Sequence, residues 1–123
     1  MKLSILTPTF NRAHLLEQLY ESIKENCKNC KCDVEWLIMD DGSSDNTKQV
    51  VENYIKEKEV DVKYFYQENK GKMEAINNLV LKATGDYIVE CDSDDYFNNN
   101  AFSVIEEEIS KIQNTQNIYA LVF

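Results

Sequence analysis

Short apolar runs alternate with longer amphipathic stretches along the 123-residue chain. Apolar, β-branched runs are typical of strands, and apolar residues that recur every three or four positions indicate helices. The pattern predicts a strict alternation that begins and ends with a strand. The predicted strands are 2–7, 34–39, 62–66, a run from 87 and 118–123, and the predicted helices are 13–26, 46–57, 73–83 and a segment from about 100 to 112.

This alternation predicts an α/β fold with a mostly parallel sheet, right-handed crossovers and helices on both faces. The run 34–39 is almost continuously apolar, as expected of a strand that is covered on both sides. The run 62–66 carries a lysine and aromatic residues, which places it nearer the edge of the sheet. The chain is long enough for one domain.

Individual residues have expected roles at the ends and on the faces of these elements. Pro8 lacks an amide hydrogen and is expected to end the first strand. Asn11 is a candidate N-cap of the first helix, and Gly85 is expected to end the third helix as a C-terminal cap. The side chains expected to face inward are Leu15, Leu16, Leu19 and Ile23; Val50, Val51, Tyr54 and Ile55; Met73, Ile76, Leu79, Val80 and Ala83; and Phe102, Ile105, Ile109 and Ile112.

The overall charge limits the classes of partner. The formal net charge is −9, which argues against a nucleic-acid partner because such a partner requires a basic surface. The sequence contains no apolar run of membrane-spanning length and no signal peptide, so we expect a cytoplasmic protein, at most held at the inner face of a membrane by other parts. An apolar terminal strand at 118–123 would leave an aggregation-prone edge, which predicts that the parent protein continues.

Three of the four cysteines are close together in the sequence. Cys27, Cys30 and Cys32 form a Cys-x-x-Cys-x-Cys pattern, which is compatible with part of a zinc or redox site. No fourth ligand is evident from the sequence. We therefore interpret them as reduced thiols in a polar loop.

Three carboxylates follow the predicted strand that begins at residue 87. Asp92, Asp94 and Asp95 lie within four residues, where their charges repel one another. A divalent cation would turn this repulsion into ligation, and oxygen ligands favour magnesium or manganese. The spacing of Asp92 and Asp94 lets both face one point if the chain stays extended. The alternative is a solvated acidic turn.

Ligands of parallel sheets bind beyond the carboxyl ends of the strands, where the strand order reverses. Polar clusters follow three of the predicted strands, at 7–12, 40–43 and 92–94. The loop before the third helix adds Lys70 and Lys72, which can meet a phosphate. The sequence therefore predicts a polar site at one edge of the sheet.

These segments carry a resemblance. Thr-Pro-Thr-Phe-Asn-Arg at 7–12, Asp-Asp-Gly-Ser-Ser-Asp-Asn-Thr at 40–47, Gln-Glu-Asn-Lys-Gly-Lys at 67–72, Ala-Thr-Gly-Asp-Tyr-Ile at 83–88 and Asp-Ser-Asp-Asp at 92–95 resemble glycosyltransferase family 2 in order and interval. The resemblance implies a GT-A fold, a Rossmann-like three-layer sandwich, of which residues 1–123 would be the nucleotide-sugar-binding half. It implies an inverting, metal-dependent enzyme that moves a sugar from a nucleotide diphosphate, often UDP, to a hydroxyl of a glycan or lipid-linked acceptor in cell-surface synthesis.

The resemblance also implies roles for individual residues. Pro8 and Thr9 would lie beside the base and ribose, and Asp41 would accept a hydrogen bond from the uracil ring while Asp40 supports the turn. Asp94 would bind manganese or magnesium directly. The implied nucleotide-binding set is Pro8, Thr9, Asn11, Asp40, Asp41, Lys72, Asp92 and Ser93, and the implied metal ligands are Asp92 and Asp94. The family's general base belongs to the second half, so none is assigned in this chain.

Other classes explain the pattern less well. A non-catalytic nucleotide- or metal-binding module on the same scaffold remains the alternative. A phospho-acceptor receiver domain would require an acidic cluster after the first strand, where this chain has Thr-Pro-Thr. A dinucleotide oxidoreductase would require a Gly-x-Gly-x-x-Gly turn, which glycines at 42, 71 and 85 cannot form.

Overall fold

The computed structural model describes residues 1–112, without the side chain of Ile112. Its elements are β1 (Lys2–Thr9), α1 (Ala13–Asn29), β2 (Asp33–Asp41), α2 (Thr47–Glu57), β3 (Asp61–Gln67), α3 (Lys72–Lys82), β4 (Tyr87–Glu90) and α4 (Ala101–Ile112). These eight elements confirm the predicted alternation. The predicted strand 118–123 and the inward side chain of Ile112 lie outside the described residues.

The four described strands form one parallel sheet in the order β3-β2-β1-β4. The first three strands proceed in one direction across the sheet, and the chain then returns to place β4 on the other side of β1. The strand order therefore reverses at β1, where a ligand site is expected. The position of β3 at the edge confirms the expectation from its lysine and aromatic residues.

Helices cover both faces of the sheet, which confirms the three-layer α/β architecture. Because successive strand residues point to opposite faces, Ile5 and Leu6 of β1 belong to different cores. The larger core includes Trp36 and residues of α1, α2 and α4. The smaller core joins β1 and β2 to α3. None of the described helices has both the length and the apolar composition needed to cross a bilayer.

The prediction that Pro8 ends β1 is wrong, because the strand continues to Thr9. The carbonyl of Leu6 accepts a hydrogen bond from the amide of Cys91, so Leu6 points its peptide groups toward the β4 side. Pro8 is two residues further on and points the same way. Strand β4 has already ended at Glu90, so no strand lies beside Pro8 on that side. The missing amide hydrogen of proline therefore costs the sheet no hydrogen bond.

Three of the predicted inward side chains are exposed. The exposed fraction is 39% for Ile55, 73% for Met73 and 43% for Val80. In α3 the sheet is contacted instead by a stripe that contains Ala75, Ile76 and Leu79. Met73 and Val80 lie about 90° around the helix from the centre of that stripe, so they face away from the sheet. In addition, α1 continues to Asn29, beyond the predicted end at residue 26.

Gly85 does not cap α3. The C-cap is Ala83 in an extended conformation, and its amide bonds to the carbonyls of Leu79 and Val80. A Cβ on Gly85 would lie 2.5 Å from Ser4 Oγ and 2.9 Å from the carbonyl oxygen of Lys2. Glycine is therefore required here for the close approach of the chain to β1 as it enters β4.

A buried carboxylate stabilises the end of the sheet at which the strands begin, opposite the carboxyl ends of the strands. Glu35 is fully buried and accepts hydrogen bonds from Lys63 Nζ and Ser4 Oγ, each at 2.6 Å, and from the amide of Thr84 at 2.7 Å. Burial alone would raise the pKa of Glu35. The hydrogen bonds from Lys63, Ser4 and Thr84 outweigh it and lower the pKa from 4.5 to about 2.

This lowered pKa predicts a specific loss of stability in acid. The charged form of Glu35 is favoured in the folded state, so its contribution is complete above pH 4.5 and is lost as the pH falls toward 2. The contribution at neutral pH is about 3 kcal/mol. Urea denaturation of Glu35→Gln across this pH range should give a flatter dependence of the unfolding free energy. The exposed Glu52→Gln should retain the wild-type slope, and equal slopes for all three proteins would contradict the assignment.

Candidate functional site

The carboxyl ends of β1 and β2, the loop before α3 and the segment after β4 enclose a cleft of about 350 Å³. Seven of the nine site residues that the sequence predicted line it: Pro8, Thr9, Asp41, Lys72, Asp92, Ser93 and Asp94. The remaining two, Asn11 and Asp40, are not part of the lining. Phe10, Arg12 and Asn69 line the cleft but were not in the predicted set.

Thr9 gives the cleft an unpaired polar group. It is the last residue of β1, and only 3% of its surface is exposed. Its hydroxyl is buried without a hydrogen-bond partner among the described residues. A buried hydroxyl in this state costs about 1–3 kcal/mol, so a ligand that hydrogen-bonds to it would gain affinity. This fits a hydroxyl-bearing ligand such as a nucleotide.

Asn11 does not cap α1, in contrast to the prediction. Its φ is 53°, a conformation that asparagine tolerates, and the N-cap is Arg12 without a side-chain bond. Asn11 Oδ1 instead accepts hydrogen bonds from the amides of Ser44 and Asp45 at 2.8 and 3.3 Å, and its own amide donates to Ser43 Oγ at 2.8 Å. Asn11 thus joins the loops that follow β1 and β2.

The same loops are joined a second time by Asp45. One of its carboxylate oxygens accepts a hydrogen bond from the amide of Ala13, the first residue of α1, at 3.1 Å. The other accepts bonds from the amide and hydroxyl of Thr47. A side chain from the second loop therefore caps both α1 and α2. Asp45 was among the expected caps of α2, with Ser43 and Ser44, but its bond to α1 comes from 32 residues away and has no local signal in the sequence.

Asp40 lies below the cleft and holds the turn after β2. It is 2% exposed and accepts hydrogen bonds from the amide of Ser43 at 2.9 Å and from the hydroxyl of Tyr64 at 2.7 Å. Gly42 follows with a φ of 85°, and a Cβ there would lie 2.9 Å from the amide nitrogen of Asn69. Glycine is thus required for the close contact between this turn and the loop before α3.

Asp41 organises the loop before α3 from within the cleft wall. Its Oδ1 accepts hydrogen bonds from Gln67 Nε2 at 2.9 Å and the amide of Lys70 at 2.8 Å, and its Oδ2 from the amide of Gly71 at 3.0 Å. Burial would raise the pKa of Asp41, but these three bonds outweigh it and lower the pKa. Asp41 is therefore a fixed anion, and Oδ2 retains capacity for one more donor.

The acidic segment after β4 brings its carboxylates together by a turn. The amide of Asp95 donates to the carbonyl of Asp92 at 3.0 Å, so the chain is not extended here as the sequence argument had required. The turn nevertheless gathers Asp92, Asp94 and Asp95, with one carboxylate oxygen of each within 4.8 Å of the others. Sequence analysis had named only Asp92 and Asp94 as ligands.

Two cations at the beginnings of α1 and α3 pair with this acidic turn. Lys72 Nζ lies 2.7 Å from Asp92 Oδ1, and Arg12 Nη1 lies 2.9 Å from Asp94 Oδ2. The bond to Asp92 raises the pKa of Lys72. All four side chains are about half exposed, so these ion pairs are screened by solvent and contribute little to stability. They can therefore be exchanged for other partners at low cost.

The donor set of the acidic turn is suited to a hard divalent cation. Three carboxylates offer oxygen atoms alone, which magnesium and manganese prefer, and their half-exposed position leaves room for water and for a ligand's oxygens. Asp92 and Asp94 line the cleft directly, so a cation held by them would be accessible from it.

A sequence model described as Glycosyl transferase family 2 matches residues 4–122, almost the whole chain. The chain belongs to glycosyltransferase family 2. The family resemblance that the sequence motifs indicated is thus confirmed.

A curated relative is the GalNAc(5)-diNAcBac-PP-undecaprenol beta-1,3-glucosyltransferase of Campylobacter jejuni, 37% identical over 112 residues. The match covers 89% of this chain and 35% of that enzyme. The chain spans 35–38% of the length of the first curated relatives that it matches.

Solved glycosyltransferase structures share the fold. Staphylococcus aureus TarS, determined as residues 1–349 in complex with UDP-GlcNAc, superposes with a TM-score of 0.80 at 26% identity, over 92% of this chain and 32% of that one. The mannosyltransferase PcManGT from Pyrobaculum calidifontis, in complex with GDP-Man and Mn²⁺, gives a TM-score of 0.69 at 25% identity, over 80% and 29% of the two chains. These likenesses confirm the predicted Rossmann-like GT-A architecture.

Proposed function

We propose that this chain is the donor-binding part of an inverting, metal-dependent glycosyltransferase that uses a UDP-linked sugar. One observation carries the proposal: Asp92 and Asp94, whose oxygens gather with that of Asp95, line the same cleft as Thr9 and Asp41. A nucleotide diphosphate requires both halves of such a site, since its base and ribose need hydrogen-bonding groups and its diphosphate needs positive charge.

The β1 and β2 side of the cleft would bind the nucleoside. Thr9 offers its unpaired hydroxyl to the ribose, and Asp41 offers the free acceptor capacity of Oδ2 to the N–H of a uracil ring. Asp40 and Asn11 contribute indirectly, because they hold the loops that position Thr9 and Asp41. The complex of TarS with UDP-GlcNAc supports a uridine nucleotide as the ligand of this side.

The acidic turn would hold manganese or magnesium through Asp92 and Asp94. When bound, the cation would neutralise charge on the departing diphosphate. The presence of Mn²⁺ in the PcManGT complex supports a divalent cation as the cofactor. Ser93, buried between the two ligands and part of the cleft lining, would help to fix the turn beside the nucleotide.

Lys72 and Arg12 would exchange partners when the donor binds. In the structure they neutralise Asp92 and Asp94. A donor brings phosphate oxygens into the cleft that both residues line, and a cation on the carboxylates removes their need for these partners. Lys72 and Arg12 could then pair with the diphosphate and stabilise it as the leaving group.

The acceptor would be a hydroxyl of a glycan or of a lipid-linked glycan in cell-surface polysaccharide or glycolipid synthesis, on the cytoplasmic side of the membrane. The Campylobacter relative, which is named as a glucosyltransferase that acts on an undecaprenol-linked glycan, supports this class. We place the general base and the acceptor pocket in a second half of the parent protein, in keeping with the small share of its relatives that the chain spans.

Calorimetric titration of the full-length protein with UDP, with and without Mn²⁺, tests the proposal. We expect Mn²⁺ to raise the affinity for UDP, and we expect the protein to release UDP from a UDP-sugar when a lipid-linked glycan is supplied. An affinity that does not respond to Mn²⁺ or Mg²⁺ would contradict the metal site. Donor binding without turnover on any acceptor would instead favour the non-catalytic module.

A further inference from the structure

We propose that Cys30, Cys32 and Glu106 form a second cation site, for zinc, separate from the cleft. The three residues come from two distant parts of the chain. Cys30 is the C-cap of α1, Cys32 precedes β2, and Glu106 lies on α4. One ligand atom from each lies within 4.8 Å of the other two, and all three residues are half-buried.

The residue types match the preferences of zinc. Zinc binds thiolates and carboxylates in tetrahedral geometry, whereas magnesium and manganese avoid sulfur. The sulfur atoms of Cys30 and Cys32 lie 2.9 Å apart. Two thiolates on one zinc ion lie roughly 3.8 Å apart, because each zinc–sulfur bond is about 2.3 Å long. A small rotation of the two side chains is therefore enough to admit the ion.

Glu106 supplies the ligand that sequence analysis did not find. Its Oε2 accepts a hydrogen bond from the amide of Lys31 at 3.1 Å, and no ion pair reaches it from any residue of 1–112. A half-buried carboxylate that faces two thiols lacks a positive partner, and a cation would provide it. Cys32 and Glu106 are far apart in the sequence and belong to no recognisable motif, because only the fold brings them together.

A further thiol lies close to this site. Cys27 is one helical turn before Cys30, inside α1 rather than in a loop as the sequence had suggested. Cys27 is not among the residues whose ligand atoms gather here, so we expect a water molecule in the fourth position of a tetrahedral site.

A cation here would join the α1–β2 connection to α4. The last turn of α1 already shares hydrogen bonds with α4, from Ser103 Oγ to the carbonyl of Asn29 at 2.8 Å and from the amide of Phe102 to Asn26 Oδ1 at 3.0 Å. Helix α4 follows the acidic turn along the chain. By holding α4 in place, zinc would fix the C-terminal end of the segment that carries Asp92 and Asp94. Its expected role is structural.

Cobalt titration of the full-length protein tests this site. The reduced, chelator-treated protein is titrated with Co²⁺ in the presence of excess Mg²⁺, which occupies the acidic turn. We expect thiolate-to-cobalt charge-transfer absorption that saturates at one equivalent and is abolished by Zn²⁺. The double variant Cys30→Ser/Cys32→Ser should lack this absorption.

A pair of matched variants on α4 tests the carboxylate. Glu106→Gln should weaken zinc binding by at least tenfold, whereas the exposed neighbour Glu107→Gln should bind zinc like the wild type. Far-UV circular dichroism checks that each variant is folded, and Glu106→Gln keeps the test valid if the cysteine variant is not. Absent charge-transfer absorption in the wild type, absorption unchanged in the double variant, or equal zinc affinity of the two glutamine variants would overturn the proposal.

Discussion

Asp94→Ala should abolish the metal-dependent part of nucleotide binding and leave the fold unchanged. Asp94 is about half exposed, and its ion pair with Arg12 is screened by solvent, so its loss should change the unfolding free energy little. Removal of a direct metal ligand should cost at least the 10–100-fold in affinity that outer-shell changes typically cost. The measurement is UDP affinity as a function of Mn²⁺ concentration, together with thermal unfolding.

Asp61→Ala provides the control for a change in net charge. Asp61 is exposed at the start of β3 and does not line the cleft, so its loss removes the same charge without removing a proposed ligand. We expect its Mn²⁺ response to equal that of the wild type. If Asp94→Ala also kept the full Mn²⁺ response, the metal assignment would be wrong.

Asp41→Asn should weaken the binding of uridine nucleotides more than the binding of a bare diphosphate. The side-chain NH₂ group of asparagine would replace one carboxylate oxygen and would face hydrogen-bond donors. In one orientation it would face the amide of Gly71, and in the other it would face Gln67 Nε2 and the amide of Lys70. One buried group left unpaired costs about 1–3 kcal/mol, or roughly tenfold to a hundredfold in an equilibrium constant. We expect a loss of that size in uridine affinity and a smaller loss for pyrophosphate, both measured by calorimetry.

Asp40→Asn is the matched control for this substitution. Asp40 is the preceding residue and equally buried, but it bonds to Ser43 and Tyr64 below the cleft. Its substitution should lower stability and weaken uridine binding less than Asp41→Asn does, because Asp40 only holds the turn and its loss leaves the Oδ2 acceptor of Asp41 in place. Equal losses of uridine and pyrophosphate affinity in Asp41→Asn would count against recognition of the base.

The convergence of the site could be predicted because it follows from the sheet. Residues at the carboxyl ends of parallel strands share one edge whatever side chains they carry, so Thr9, Asp41 and Asp92 had to meet once the strands were identified. The family motifs added the expected metal ligands. Neither the sheet geometry nor the motifs specify the path of an individual side chain.

Contacts between residues that are far apart in the chain could not be predicted from the sequence. A local pattern allows Asn11 to cap its own helix, but the structure uses it and Asp45 to join two loops across more than thirty residues. Gly85 follows a helix, yet its function is to admit a neighbouring strand. The partnership of Arg12 with Asp94 and of Cys32 with Glu106 likewise exists only in three dimensions.

The two sides of the cleft differ in how they would respond to ionic strength. The β1 and β2 side is held by buried or short-range hydrogen bonds of Asn11, Asp41 and Asp45, which salt barely affects. The acidic turn is flanked by half-exposed charge pairs, whose attraction added salt reduces as the Debye length shortens below its value of about 8 Å at physiological ionic strength. The affinity for the nucleoside should therefore change little in concentrated salt, whereas the affinity for the diphosphate should vary with the ionic strength.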